Sequence, residues 1–187
     1  IERYRRRAEG YDSSAERTMP LRRRTVELLH LQPGQTVLDV GCGTGLSFGL
    51  LLDGVGRQGQ VLGFEQSPEM HERAAQRVRQ NNWDSLWLCQ SAAEDVTLPA
   101  KADAVLFNYV HDISRTPAAV DNIMRQVKPG AHVAVAGMKF FPWWTGPLNL
   151  LAWLKNRPYN ALAADLWQPW DLIEPWCVDF QRWTTQA

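Results

Sequence analysis

The stretch Thr36-Val37-Leu38-Asp39-Val40-Gly41-Cys42-Gly43-Thr44-Gly45 decides how the rest of the chain reads. Pro33-Gly34 just before it is a turn signal, and the β-branched, apolar run 36–40 reads as a buried strand. Three glycines then occupy alternate positions, and the apolar run 46–52 that follows reads as a helix. Glycine is required where a backbone turns sharply and a ligand approaches it closely. In open α/β sheets ligands bind beyond the carboxyl ends of the strands, where this loop falls. A dinucleotide fingerprint would place glycines at 41, 43 and 46, but position 46 is leucine. The G-x-G-x-G spacing therefore argues against a standard NAD site.

Outward from this loop the chain alternates strand and helix. Gln60–Glu65 reads as a second strand, and Ser67-Pro68 as an N-cap with proline at the first helical position. The helix it opens is expected to run to about residue 80. Leu86–Gln90 reads as a third strand, and 102–109 as a fourth, buried on both faces. A helix over 116–127 and a Pro129-Gly130 turn opening a fifth strand over 131–138 complete the rhythm. Strands separated by helices predict a doubly wound, mostly parallel sheet with helices on both faces.

After Met138 the rhythm breaks. Seven of the nine tryptophans lie there, at 143, 144, 153, 167, 170, 176 and 183, among five prolines. This predicts short helical pieces forming a Trp-rich C-terminal cap, then a strand over 177–183. The domain reading is one unit, 1–187, with an N-terminal helical cover over 1–30 and a cap insertion over 139–176.

Zero net charge gives no global field favouring nucleic acid or membrane, so no nucleic-acid partner is expected. Eight arginines between Arg3 and Arg24 are interleaved with acids and read as a solvated helix face, with an anionic lipid or substrate contact as the lesser alternative. Cys42, Cys89 and Cys177 have neither a disulfide pattern nor metal-ligand spacing. They point to a reducing compartment, a cytoplasmic location and no metal. No apolar run approaches the length of a membrane span, and no signal peptide is visible.

At Leu38–Gly45 the chain closely resembles the first motif of the class I S-adenosylmethionine-dependent methyltransferases, of the small-molecule type. The resemblance covers roughly 11–138 and implies a Rossmann-like fold. It implies that the backbone of Gly41, Cys42, Gly43 and Gly45 contacts the aminocarboxypropyl part of S-adenosylmethionine, with Asp39 orienting its amine through water. Glu65 lies 26 residues after Asp39 and ends the second strand. A carboxylate there can accept two directional hydrogen bonds from a ribose diol, the role the resemblance implies, with Gln66 beside the adenine. Family members often carry an acid where this chain has Ala92. That departure leaves the adenine contact to the backbone of Ala92 or Ala93, or to Glu94. Asn108 and Tyr109 match the motif beside the sulfonium. Tyr11 matches a tyrosine that reaches the methionine end, with a packed helical tyrosine as the equal alternative.

His111-Asp112 resembles the base region of small-molecule O-methyltransferases, and histidine titrates where it can take a proton from an acceptor. The competing reading is a histidine that only caps the loop into the next helix. Trp143 and Trp144, with His111, are candidates for an apolar acceptor pocket, against the alternative that the tail merely covers the sheet. The expected activity is methyl transfer to a small, partly apolar acceptor, releasing S-adenosylhomocysteine. Two alternatives stay open: 3-amino-3-carboxypropyl transfer to a lipid or small molecule, and a non-catalytic cofactor- or partner-binding module. Monomer and homodimer are both admitted, and membrane-surface contact is the less favoured option.

Overall fold

The computed structural model describes residues 18–137 and 170–182. Five parallel strands form one sheet: β1 (Thr36–Val40), β2 (Gln60–Glu65), β3 (Leu86–Gln90), β4 (Ala102–Asn108) and β5 (Val127–Ala136). Their spatial order is β3-β2-β1-β4-β5. The chain moves outward from β1 to β3, then crosses to the other side of β1. A crevice opens at that reversal, between the carboxyl ends of β1 and β4. The helices are α1 (Met19–Glu27), α2 (Phe48–Val55), α3 (Pro68–Asn81), α4 (His111–Ser114) and α5 (Pro117–Met124).

Period-two alternation along the strands divides the core into two layers. Val37, Val61, Ala104 and Leu106 face one side and pack with Val26 of α1 and Leu29 just after it, Phe48, Leu51 and Val55 of α2, and Ala74 of α3. Leu38, Leu62, Phe64, Val105 and Phe107 face the other and pack with Ala119, Val120 and Ile123 of α5. Both faces of the central strands are thus covered, and β4 is buried along nearly its whole length. Each fully buried branched or aromatic side chain contributes roughly 1.5–3 kcal/mol over its exposed state.

Ser67 caps α3 as the sequence predicts, its hydroxyl accepting from Met70 N at 3.4 Å. Four boundaries differ from the sequence reading, each for a local reason. The helix expected over 46–52 starts only at Phe48, because Gly45 N closes a turn on the Cys42 carbonyl at 3.0 Å and prolongs the loop. β4 stops at Asn108 because Tyr109 takes a left-handed φ of 62°. α5 covers only Pro117–Met124, since the chain enters β5 at Val127. β5 begins earlier than 131: Val127 pairs with Ala102 and His132 with Ala104, so Pro129-Gly130 forms a bulge within the strand rather than a turn before it. Proline has no N–H for the ladder, and Gly130 has a φ of 79°.

The strand expected over 177–183 is corrected. Trp170–Cys177 is a run of turns with a 3-10 segment at Glu174–Trp176, and Cys177–Arg182 pairs with no strand. Pro175 removes a ladder donor, and the Arg182–Glu174 ion pair folds the segment back on itself. Ile173 anchors this segment, fully buried against the α5 layer. The remainder of the expected Trp-rich cap, with Trp143 and Trp144, lies outside the described residues, as do Tyr11 and most of the N-terminal cover. No described helix is long and apolar enough to cross a membrane.

Candidate functional site

A cleft of about 210 Å³ opens at the β1–β4 reversal. The glycine loop forms its floor, and each glycine is held there for a different reason. Gly41 has a φ of 55°, and a side chain on it would strike Val110 and Ile113 at 2.9 and 2.8 Å. Gly45 has a φ of 77°, and a Cβ would sit 2.5 Å from the Phe48 ring. Gly43 has a φ of 59°, yet a Cβ there would meet no atom of the described residues within 4 Å. The described residues leave the space beside Gly43 open, which makes it a candidate place for a ligand. Arg77 of α3 pins the loop from behind, donating to the Thr44 carbonyl at 2.9 Å.

Asp39, Gly41, Cys42 and Gly43 line the cleft on the β1 side. Glu65 and Gln66 line it at the end of β2, and Asn108, Tyr109 and His111 at the end of β4. Ala93 and Glu94 also reach it, whereas Ala92 does not: its carbonyl is taken by Val96 N at 3.0 Å inside a turn. Gly45 is likewise absent from the lining, its place being set by Phe48. Among the described residues no cluster of three His, Cys, Asp or Glu side chains could hold a metal ion.

Glu65 bridges the two walls, accepting from Gly43 N at 3.0 Å and from Ser67 N at 2.8 Å. These bonds aim the carboxylate across the loop and leave each oxygen further acceptor capacity. Asp39 is 2 % exposed, and among the described residues its Oδ2 has no hydrogen-bond partner. Burial pushes its carboxyl up to about 7; Arg22 opposes that shift and Glu65 adds to it. Asn108 is 6 % exposed, and neither polar atom of its amide has a partner among the described residues. Buried polar groups are nearly always paired, which makes both residues candidates to meet the hydrogen-bonding groups of a ligand. The donors and acceptors present fit the polar amino-acid end and ribose of S-adenosylmethionine. Cys42 is buried, and desolvation raises its thiol well above the ordinary value, which makes it a poor nucleophile.

His111 opens α4 at the far end of the cleft. Its ring packs so closely on Gly137, at the exit of β5, that a Cβ there would lie 2.3 Å from His111 Cε1. Burial, helped by the charge of Arg115, lowers the imidazolium to about 4, so the ring is neutral near pH 7. Phe107, Gly137 and Trp170 surround a small void of about 10 Å³ beside it.

Several lining residues, among them Leu46, Phe64, Met70, Val110, Ile113 and Thr116, were not anticipated from the sequence, and Arg22 is the charged one of that set. Arg22 was grouped with the solvated arginines, but it is 6 % exposed and borders the cleft, while Arg23 and Arg24 are exposed. The available signal was periodicity: Arg22, Thr25, Val26 and Leu29 fall at i, i+3, i+4 and i+7, one face of a helix, and all four are buried. Gly137 also carried no signal, because only the folded chain brings it against His111.

Residues 31–177 match a family model described as a methyltransferase domain. The chain is 29 % identical over 185 residues to a demethylmenaquinone methyltransferase of Symbiobacterium thermophilum, covering 85 % of this chain and 74 % of the relative. It is 31 % identical over 161 residues to a 2-phytyl-1,4-naphtoquinone methyltransferase of Synechococcus elongatus. There the match covers 84 % of this chain, but only 60 % of the relative's length. A SAM-dependent methyltransferase of Aquifex aeolicus shares the fold with a TM-score of 0.59 at 23 % identity, over 70 % of this chain and 77 % of that one. Taken with the strand order, the glycine loop and the unsatisfied polar groups around it, these likenesses show that the chain belongs to the S-adenosylmethionine-dependent methyltransferase family.

Proposed function

We propose that this protein methylates a small, partly apolar acceptor presented at the His111 end of the cleft. The observation that carries the reading is the division of one cleft into two parts. The Asp39, Glu65 and Asn108 side offers fixed polar groups, while the His111 side offers a neutral imidazole beside Val110 and Ile113. When bound, S-adenosylmethionine supplies a methyl group already activated on a sulfonium. The protein's task is then to align the acceptor and exclude water. A neutral His111 has a ring nitrogen able to accept the proton that a hydroxyl loses as its oxygen gains the methyl. Packing on Gly137 holds the ring in place for that transfer. An amine acceptor would use the same alignment with less need of a base.

The two curated relatives are named for naphthoquinone-type acceptors, which supports a ring-shaped, apolar acceptor of that class. The N-terminal cover over 1–30 and the cap over 139–176, with Tyr11, Trp143 and Trp144, would close over cofactor and acceptor in this reading. The test is incubation with S-adenosylmethionine and a panel of reduced naphthoquinones, phenols and amines, followed by chromatography of the nucleoside products. S-adenosylhomocysteine with a methylated acceptor is expected, and His111→Ala should lower turnover on a hydroxyl acceptor at least tenfold while leaving S-adenosylhomocysteine affinity nearly unchanged. Release of methylthioadenosine would replace the reading with aminocarboxypropyl transfer. Tight binding of S-adenosylhomocysteine without turnover on any acceptor would favour a non-catalytic module.

A further inference from the structure

We propose that Asn122 of α5, which does not itself line the cleft, is a positioning residue that makes the turn over 92–96 a hydrogen-bond-donating wall, and that this wall selects a flat ring whose edge accepts a hydrogen bond. The proposal rests on the reading that the cleft holds S-adenosylmethionine, and it concerns the choice of purine at that cofactor's base end.

Ser91 N, just before the turn, donates to the Glu65 carbonyl at 3.2 Å, so the turn stands beside the end of β2. Val96 N and Asp95 N close it on the Ala92 carbonyl at 3.0 and 3.2 Å. A second set of bonds reaches it from α5. Asn122 Nδ2 donates to the carbonyls of Ala93 and Val96, both at 2.9 Å. Gln126, one helical turn further on, donates from its Nε2 to the Val96 carbonyl at 3.0 Å and accepts from Leu98 N at 2.7 Å. Its Nε2 also donates to the Asn122 carbonyl at 3.0 Å, which ties the two amides together. Ala93 and Val96 are buried in one layer with Ala119, Val120 and Ile123 of α5. That apolar packing is non-directional, whereas the amide bonds fix which polar groups of the turn are taken and which are left.

Asn122 thereby sets the polarity of the wall. The carbonyl of Ala92 is taken within the turn, and that of Ala93 by Asn122. Ala93 and Glu94 line the cleft, and their backbone N–H groups enter no hydrogen bond among the described residues. Ala93 is 4 % exposed, and a buried N–H is seldom left without a partner. Ala92 has no side-chain acceptor to add, and the exposed Glu94 carboxylate is held by no hydrogen bond among the described residues. Fixed donors suit a ring nitrogen with a lone pair, as at N1 of adenine. They oppose a ring nitrogen carrying a hydrogen, as at N1 of hypoxanthine. Phe64 and Met70 border the same cleft and offer apolar surface to a flat ring. A site built to hydrogen-bond one edge rejects an analogue that leaves its buried groups unpaired.

The test compares S-adenosylhomocysteine with S-inosylhomocysteine, its hypoxanthine counterpart, by isothermal titration. The wild-type protein is expected to prefer the adenine ligand at least about tenfold, the range of a donor left facing a donor. Asn122→Ala releases the Ala93 carbonyl; it should weaken S-adenosylhomocysteine at least about fivefold and cut the preference below about threefold. Asn122→Asp, which sets acceptor oxygens against two carbonyls, should do the same. A residue that only holds the fold would lower the melting temperature and leave the preference at the wild-type ratio, which would overturn the proposal. Equal wild-type affinity for the two ligands would overturn it as well. So would a preference lost in Glu94→Gln and kept in Asn122→Ala, because the selection would then belong to that carboxylate. Should the Asn122 variants not fold, amide hydrogen exchange on the wild type decides. S-adenosylhomocysteine should slow exchange at Ala93 and Glu94 at least about tenfold, and unchanged rates there overturn the proposal. Absence of S-adenosylhomocysteine binding to the wild type would instead overturn the cofactor reading on which the proposal stands.

Discussion

Asp39 combines a place in the cleft with burial that disfavours its charge. Its carboxyl stands at about 7 in the folded protein, against an ordinary value of 3.8, chiefly because burial disfavours the anion. The folded state therefore keeps a proton that the unfolded chain gives up above about pH 4. The stability contributed by that proton is complete below about pH 4 and is lost as pH rises through 7. Asp39→Asn has no proton to lose, so its stability relative to wild type should rise with pH, by roughly 2–4 kcal/mol between pH 4 and pH 8. Urea denaturation at the two pH values measures this, and a pH-independent difference would remove Asp39 as the cause. The same variant should bind S-adenosylhomocysteine more weakly, because an amide cannot form the charged bond to an ammonium. A group that destabilises the empty protein and fits a cationic ligand has the character of a binding residue.

At the scale of the element, the loop between β1 and α2 carries three glycines with separable duties. Gly45 is bound by the protein's own packing, with Phe48 occupying the place of a side chain. Gly43 is bound by its positive φ and by the open space beside it. Gly45→Ala should therefore destabilise the fold by about 2 kcal/mol or more, through both strain and collision. Gly43→Ala should cost about 1–2 kcal/mol of stability from its backbone alone, yet weaken S-adenosylhomocysteine at least tenfold by intruding on ligand space. Thermal melts and titration side by side check the pair; a Gly43→Ala protein with unchanged affinity would place the ligand elsewhere. Such contrasts were only partly legible beforehand. Alternating glycines after a buried strand marked the loop that lines the cleft, and β1, β2 and β3 were bounded correctly because apolar runs between turn signals are locally encoded. β5 was not: whether Pro129-Gly130 lies before the strand or within it depends on Ala102 offering Val127 a partner, which is a tertiary event. Arg22 was obscured for the opposite reason, since a triplet of arginines reads as solvated until the helical stripe through Thr25, Val26 and Leu29 is traced.

Across the whole molecule, the far end of the described chain returns to the site. Ile173 is 0 % exposed and packs into the layer formed by α5 and the β1–β2–β4 face. Its neighbour Trp170 lines the small void next to His111 and Gly137. No sequence signal linked residue 173 to residue 111, because the link exists only once the sheet brings the end of β5 beside the start of α4. The segment is thus held chiefly by Ile173, with Leu172 and Cys177 packed beside it, and supplies one wall beside the candidate base. Ile173→Ala should cost about 2–4 kcal/mol of global stability if the segment belongs to the cooperative core, and under 1 kcal/mol if it is an appended tail. Urea unfolding followed by far-UV circular dichroism separates these outcomes. Loosening the anchor should also let Trp170 retreat from the void, lowering turnover while S-adenosylhomocysteine affinity stays within about threefold, because the polar half of the cleft proposed to hold it is built on β1 and the loop after it, away from the segment. A parallel loss of affinity would mean that the segment supports the whole cleft rather than its acceptor end.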